Sequence, residues 1–196
     1  AQVAGNLLVG APAAWAISRL RFRGRSMVRG LYIVLMLLPF QVTMVPSYLV
    51  LRQFGLLDTP WAIILPGIFS TFPVFIMERG FDTVPREVLE SASIDGANQW
   101  QRFWRIGIPL GIPGLISALT LGFLDAWNAI EQPMTFLESP QYWPLSLFFT
   151  DPANLDTKQL GLAMAASLWM LLPSILVFRF GQTYLEAGLT KGAVKG

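Results

Sequence analysis

The chain contains neither cysteine nor histidine. The first absence excludes a disulfide framework and any thiolate metal site. The second removes the commonest general base and the commonest metal ligand. Charge is scarce as well: 13% of the 196 residues are charged, against roughly 25% in ordinary soluble domains. With 54% of its residues apolar, a soluble fold of this length has more apolar surface than it can hide, because surface still scales steeply with mass at this size. The composition points to the bilayer as solvent. A net charge of +2 gives no electrostatic reason to expect a nucleic-acid partner. There is no Gly-x4-Gly-Lys-Ser/Thr phosphate loop, no internal repeat and no low-complexity segment.

What is present is a series of long apolar runs. A membrane-spanning helix needs about 20 predominantly apolar residues at ~1.5 Å rise each. Five stretches approach this: Val3 to Ser18, Gly30 to Leu51, Pro60 to Met77, Ile108 to Ala129 and Leu160 to Phe180. None alternates, so they read as helices, which satisfy their own backbone in lipid. Lys and Arg set the orientation. Twelve of the fourteen fall in three segments: Arg19 to Arg29, the loop 78–107, and the tail 181–196 with Arg179 just before it. The outer loop 130–159 is acidic instead, with Glu131, Glu138, Asp151 and Asp156. The positive-inside rule then puts the three basic segments and the C-terminus in the cytoplasm. An odd number of spans leaves Ala1 outside, and one further span upstream would make six. Prolines 39, 46, 66, 73, 113 and 173 lie inside apolar runs and are expected to bend them, for packing or as hinges.

The loop 78–107 has its own turn chemistry. Pro85 suits a helix start, and Arg86 to Asp95 reads as one helix with Glu87 and Glu90 in its first turns, where the dipole favours negative charge. Gly96 can take the positive φ of a helix stop. Asn98 can cap a second helix that places Trp100, Phe103 and Trp104 on one face. Pro109 is expected to turn the chain into the next span.

The segment Glu90-Ser91-Ala92-Ser93-Ile94-Asp95-Gly96, with Ile106-Gly107-Ile108-Pro109 after it, resembles the cytoplasmic coupling loop of ABC-importer permeases. That loop reads Glu-Ala-Ala, three residues, Gly, nine residues, then Ile-x-Leu-Pro. Every spacing matches, with Ser91 for Ala and Ile108 for Leu. The resemblance extends to the basic stretch Leu20 to Arg25, the short outer turn Gly55 to Thr59, Trp127-Asn128 with Pro133, and the ending Gly188 to Gly196. These look like the carbohydrate-uptake branch, similar to the G permeases of maltose systems.

The resemblance implies an all-α integral membrane bundle of the type I importer kind, one transmembrane permease domain over 1–196, with a cytoplasmic helix-turn-helix. It implies a multi-pass subunit of a bacterial or archaeal inner membrane that is not itself an enzyme. Its partners would be a dimer of ATP-binding subunits holding ATP and Mg, a second permease subunit, an extracytoplasmic sugar-binding protein and the carbohydrate itself. The ATPase-coupling residues would be Glu90, Ser91, Ala92, Asp95, Gly96, Ile106 and Pro109.

Sugars are held by hydrogen bonds to hydroxyls and by aromatic faces. Trp127, Asn128, Glu131 and Gln132 offer both near the outer boundary, and a continuing helix would put Asn128, Glu131 and Gln132 on one face; the alternative is that Pro133 ends the helix early and this face packs on the neighbouring subunit. Trp127 is equally suited to anchoring at the interface. Asp125 is the one carboxylate inside an expected span. A self-contained secondary transporter would use Asp125 and Glu131 as an ion relay, and it leaves the coupling loop unexplained. An intramembrane enzyme would need paired carboxylates or Ser–Lys, and no expected span holds a Lys.

Overall fold

A computed structural model describes residues 1–150 and 160–193. Asp151, Asp156 and Lys158 of the expected outer loop and residues Val194 to Gly196 of the tail lie outside the described residues. Those described are helical, with no strand among them. In chain order the helices are α1 (Gln2–Arg19), α2 (Arg25–Leu37), α3 (Phe40–Gln53), α4 (Trp61–Ile68) and α5 (Thr71–Asp82). The cytoplasmic-loop candidates α6 (Arg86–Ile94) and α7 (Gln99–Arg102) follow, then a π-helical turn, Phe103–Gly107. The chain continues through α8 (Ile108–Trp127), α9 (Glu131–Phe136) and α10 (Leu160–Ala193).

Among the described residues, three helical runs are long and apolar enough to cross a membrane: Trp61–Asp82, Gln99–Trp127 and Gly161–Leu185. The bent pair α2 and α3 makes a fourth if it counts as one span. The expected run Gly30 to Leu51 is therefore not one straight helix, since its halves meet at 102°. Leu38, preceding Pro39, is forced into extended backbone (ψ 124°), and the helix restarts after the proline. Pro46, Pro66, Pro113 and Pro173 stay inside their helices.

α1 falls outside that set of runs, and its Asn6 shows why its polar residues are there. The helix breaks between α4 and α5, leaving carbonyls that lipid cannot satisfy. Buried Asn6 donates its side-chain amide to the carbonyls of Ile68 (2.9 Å) and Ser70 (3.1 Å) at that break.

The core lies where α1, α5 and α8 meet. Ala11, Ala14, Trp15, Val74, Met77, Phe81, Phe103, Leu115 and Ala118 are buried together, with Trp15 edge-on to Phe81 at 5.4 Å. α5 and α8 cross at Gly80 and Gly114, where a Cβ on either would fall within 2.6 Å of the other's Cα. Backbone contact of this kind is how membrane helices pack without a hydrophobic driving force. α10 joins α8 where Gly181 meets Thr120, and Ser117 donates to the carbonyl of Tyr184 (3.0 Å). A second, smaller cluster of Leu51, Ala62, Phe136 and Leu137 sits at the end where α9 covers α3 and α4.

The two ends carry opposite charge. The carbonyls of Phe81 and Val84 accept from Arg19, those of Ile17 and Ser18 from Arg25, and Arg29 pairs with Glu78 and Asp82, all at one end. At the other end Asp58 accepts from the backbone of Glu138 and Ser139, and Glu131 accepts from Gln41.

Candidate functional site

The hairpin α6–α7 projects from the basic end, and its turn is built from local interactions alone. Pro85 precedes the first helical residue in extended backbone (ψ 138°), and Glu87 lies in the first turn. Asp95 leaves the helix as its cap. Gly96 then takes φ +82°. Its N–H bonds Ser93 O (3.2 Å) and that of Ala97 bonds Ala92 O (2.9 Å), so the pair closes the helix as a Schellman motif. A Cβ on Gly96 would meet nothing within 4 Å. Its conformation, not space, demands glycine.

Asn98 starts the second helix through a reciprocal capping box. Its Oδ1 accepts from Gln101 N (2.9 Å), and Gln101 Oε1 accepts from Asn98 N (2.8 Å). The aromatic face then divides. Phe103 is buried and touches Trp15, Phe81, Trp100 and Trp104, whereas Trp100 and Trp104 remain 64% and 59% exposed.

Pro109 does not turn the chain. The helix runs continuously from Gln99 to Trp127, with Pro109 in the first turn of α8. An interior proline leaves the carbonyl four residues back without its usual donor and clashes with it. The π-helical turn just before it absorbs the mismatch, with Ile108 N–H bonding Phe103 O five residues back. Ile106 is half-buried in this turn, and Gly107 is covered by the Trp15 ring, which would lie 2.5 Å from a Cβ.

The sides of α6 have different surroundings. Arg86, Leu89, Glu90 and Ser93 border a crevice against the end of α1, and Leu89 packs on the core. Val88, Ser91, Ile94, Asp95 and Gly96 are open to the outside, Ile94 at 86%. Ala92 is half-buried. Glu90 thus borders the arginine-lined crevice, while Ser91 and Asp95 belong to the open surface.

At the opposite end the expected Asn128–Glu131–Gln132 face does not form, because the helix stops. Trp127 is the last residue of α8, and Asn128 caps it by donating its side-chain amide to Leu124 O (2.7 Å). In a continuous helix the Pro133 ring would clash with the carbonyl of Ala129. That carbonyl instead accepts from the Ser146 hydroxyl (2.6 Å), and Pro133 sits in the first turn of α9, where no donor is required. The residues separate accordingly. Trp127 stacks on Phe123 and donates to Met170 O of α10 (2.9 Å). Glu131 accepts from Gln41 of α3 (2.9 Å), Gln132 is half-buried, and Asn128 is exposed. Asp125 borders a cavity of about 20 Å³ together with Gln2, Asn6 and Ser70, enough for about one water by the usual criterion.

Sequence reasoning passed over Glu78. It is 3% exposed and accepts from Arg29, which also reaches Asp82 (2.9 Å); Asp82 in turn accepts from the Ser18 hydroxyl (2.7 Å). This network ties α1 and α2 to the end of α5. The available signal was the i, i+4 spacing of Glu78 and Asp82 at a span end.

Residues 6–191 match the family described as binding-protein-dependent transport system inner membrane component. The chain is 33% identical over 192 residues to the inner membrane ABC transporter permease protein YcjP of Escherichia coli, covering 97% of this chain and 69% of the relative. It is 32% identical over 196 residues to the diacetylchitobiose uptake system permease protein DasC of Streptomyces coelicolor, covering 97% and 70%. Its fold matches a chain in the crystal structure of a bacterial ABC transporter involved in import of the acidic polysaccharide alginate. That match has a TM-score of 0.77 at 27% identity, over 93% of this chain and 70% of the other.

Proposed function

We propose, since this chain belongs to the family of binding-protein-dependent transport system inner membrane components, that it is one permease half of a sugar importer and receives its drive through the α6–α7 hairpin. The chain is a multi-pass membrane permease and lies in a branch whose relatives include sugar-uptake systems. In this reading residues 1–196 form a single permease domain. The basic end faces the cytoplasm, in keeping with the positive-inside rule, and α10 ends there.

The single observation that carries the docking assignment is the open face of the hairpin. Val88, Ile94, Trp100 and Trp104 are exposed on a rigidly capped turn whose other side is anchored to the core by Leu89 and Phe103. Apolar groups presented on a fixed scaffold suit burial against a partner protein. Ser91, Ala92 and Asp95 keep the centre of that surface small and polar, and Glu90 at its flank offers a carboxylate for a cation of the ATPase. ATP and Mg belong to that subunit. Its closure on ATP would rock this permease against a second one, giving alternating access to a sugar delivered by an outer binding protein. Trp127, Asn128, Glu131 and Gln132 remain the candidates for the outer mouth, now as separate groups around the α8–α9 break.

The test is assembly. Ile94→Asp puts a charge where the reading buries an apolar side chain, and Glu90→Ala removes the flanking carboxylate. Co-purification of the ATPase should drop at least tenfold for Ile94→Asp and less for Glu90→Ala, with membrane insertion unchanged. Normal assembly and sugar uptake in both variants would refute the docking surface.

A further inference from the structure

The crevice between the end of α1 and the hairpin encloses about 220 Å³ and is bordered by Arg19, Arg21, Arg25, Arg86 and Arg102. A single carboxylate, that of Glu90, faces them. Like charges at close range are unfavourable unless something compensates them, and here no ion pair does so among the described residues. Of the acidic groups beside the neighbouring cleft, Asp82 is engaged by Arg29 together with Glu78, and Glu87 forms no ion pair among the described residues.

Trp15 and Arg102 also border the crevice, Trp15 4% exposed and Arg102 half-buried. Arg19 and Arg25 are held in place by backbone carbonyls (Val84 for Arg19; Ile17 and Ser18 for Arg25, both 2.6 Å). Arg21 and Arg86 are exposed, with no side-chain hydrogen bond among the described residues. The arrangement joins guanidiniums fixed on backbone carbonyls with exposed ones that bond nothing among the described residues.

We infer that this crevice binds a phosphate group, carried by an anionic lipid headgroup or by a soluble phosphate. Arginine forks match phosphate oxygens, and the tetrahedral group accepts from several directions at once, which a planar carboxylate does less well. The volume exceeds several waters at ~30 Å³ each and so leaves room for the group and its hydration. Basic pockets between helices at the cytoplasmic surface also suit lipid headgroups. The site rests on residues of this chain and holds whether or not the hairpin docks an ATPase.

The test uses the full-length transporter complex. Native mass spectrometry would count phosphatidylglycerol and phosphatidylcholine retained after delipidation. Thermal unfolding would be titrated with inorganic phosphate against chloride at matched ionic strength, since screening alone shifts surface electrostatics. Arg21→Gln/Arg86→Gln removes two cations that bond nothing among the described residues. Arg23→Gln/Arg105→Gln removes the same charge away from the crevice. Retained phosphatidylglycerol that the first variant loses, and the second keeps, identifies a lipid headgroup. A saturable phosphate shift with apparent affinity at least tenfold weaker in the first variant alone identifies a soluble ligand. Equal losses in both variants would mean general surface charge and overturn the site. So would a wild-type complex that prefers neither phosphatidylglycerol nor phosphate.

Discussion

The contact between Gly80 and Gly114 sets how closely α5 and α8 approach, and it yields a magnitude that can be checked. Alanine at position 80 would place its Cβ 2.6 Å from Gly114 Cα, and alanine at 114 would place it 2.4 Å from Gly80 Cα, against ordinary contact beginning at 3.4 Å. The shortfalls are 0.8 Å and 1.0 Å, and both obstacles are backbone, so no side chain can swing aside. The helices must part instead. Phe81, packed on Gly111 one turn along α8, then loses contact as well. A radial gap of 0.5–1 Å forfeits about a quarter to a half of each atom pair's attraction. Overpacking of this kind costs about 1–3 kcal/mol, with Gly114→Ala expected at the upper end. The double variant should cost less than the sum of the single ones, because the first separation makes room for the second methyl. Gly30→Ala is the control: it lies in α2 with nothing within 4 Å of its Cβ, and helix propensity predicts a gain of up to about 1 kcal/mol. Chemical unfolding in detergent measures all four. A neutral Gly114→Ala, or full additivity in the double variant, would refute the reasoning.

At Gly96, with open space around the Cβ, only conformation is at stake: Gly96→Val should cost about 1–2 kcal/mol in the turn and uncouple ATP hydrolysis from uptake more than Gly96→Asn. Equal uncoupling by both would point to packing instead. Arg29→Ala strands the carboxylate of buried Glu78, a loss of about 3–5 kcal/mol for a fully buried pair, and less here because the Arg29 side chain is 35% exposed. Unfolding of Arg29→Ala/Glu78→Gln should recover most of that loss, and failure to recover would show that the pair is not the source. At the other end, hydrogen bonds from the Ser139 hydroxyl, the Ser139 N–H and the Glu138 N–H hold the Asp58 carboxyl below the usual carboxylate range. Its contribution is therefore complete at neutral pH and is lost as pH falls through that lowered value. Protection of the amides around Ser139, taken relative to the intrinsic exchange rate at each pH, should fall in acid for the wild type and stay unchanged with pH in Asp58→Asn.

Where the sequence was legible, the determinants were local. Gly96 and Asn98 announce the hairpin turn because each acts on backbone groups within a few residues: the Schellman bonds reach from Ala97 to Ala92, and the capping box spans Asn98 to Gln101. The spans 60–77 and 108–129 show for the same reason, as unbroken apolar runs. What stayed hidden depended on partners distant in the chain. Asn6 reads as a polar blemish in an apolar helix until the α4–α5 break, more than sixty residues on, supplies its acceptors. Glu78 reads as the edge of a loop until Arg29, forty-nine residues earlier, comes to meet it.

The two proline expectations show the same division and bear on the site. At Pro109 a turn was expected from the residue's own stereochemistry, but the missing donor admits two solutions: leave the helix, or widen it ahead of the proline. The Trp15 ring over Gly107 and the burial of Phe103 hold the backbone in the second. The hairpin is consequently continuous with a 29-residue helix running to Trp127. At Pro133 the first solution prevails, because Asn128 caps α8 and Ser146 occupies the carbonyl that the proline would have struck. On the docking proposed for the hairpin, its displacement would pass along α8, which ends where Trp127 is fixed to α10 and α9 begins afresh. Movement at that end would then be absorbed at residues 128–130, between helices that a continuous Asn128–Glu131 face would have fused into one.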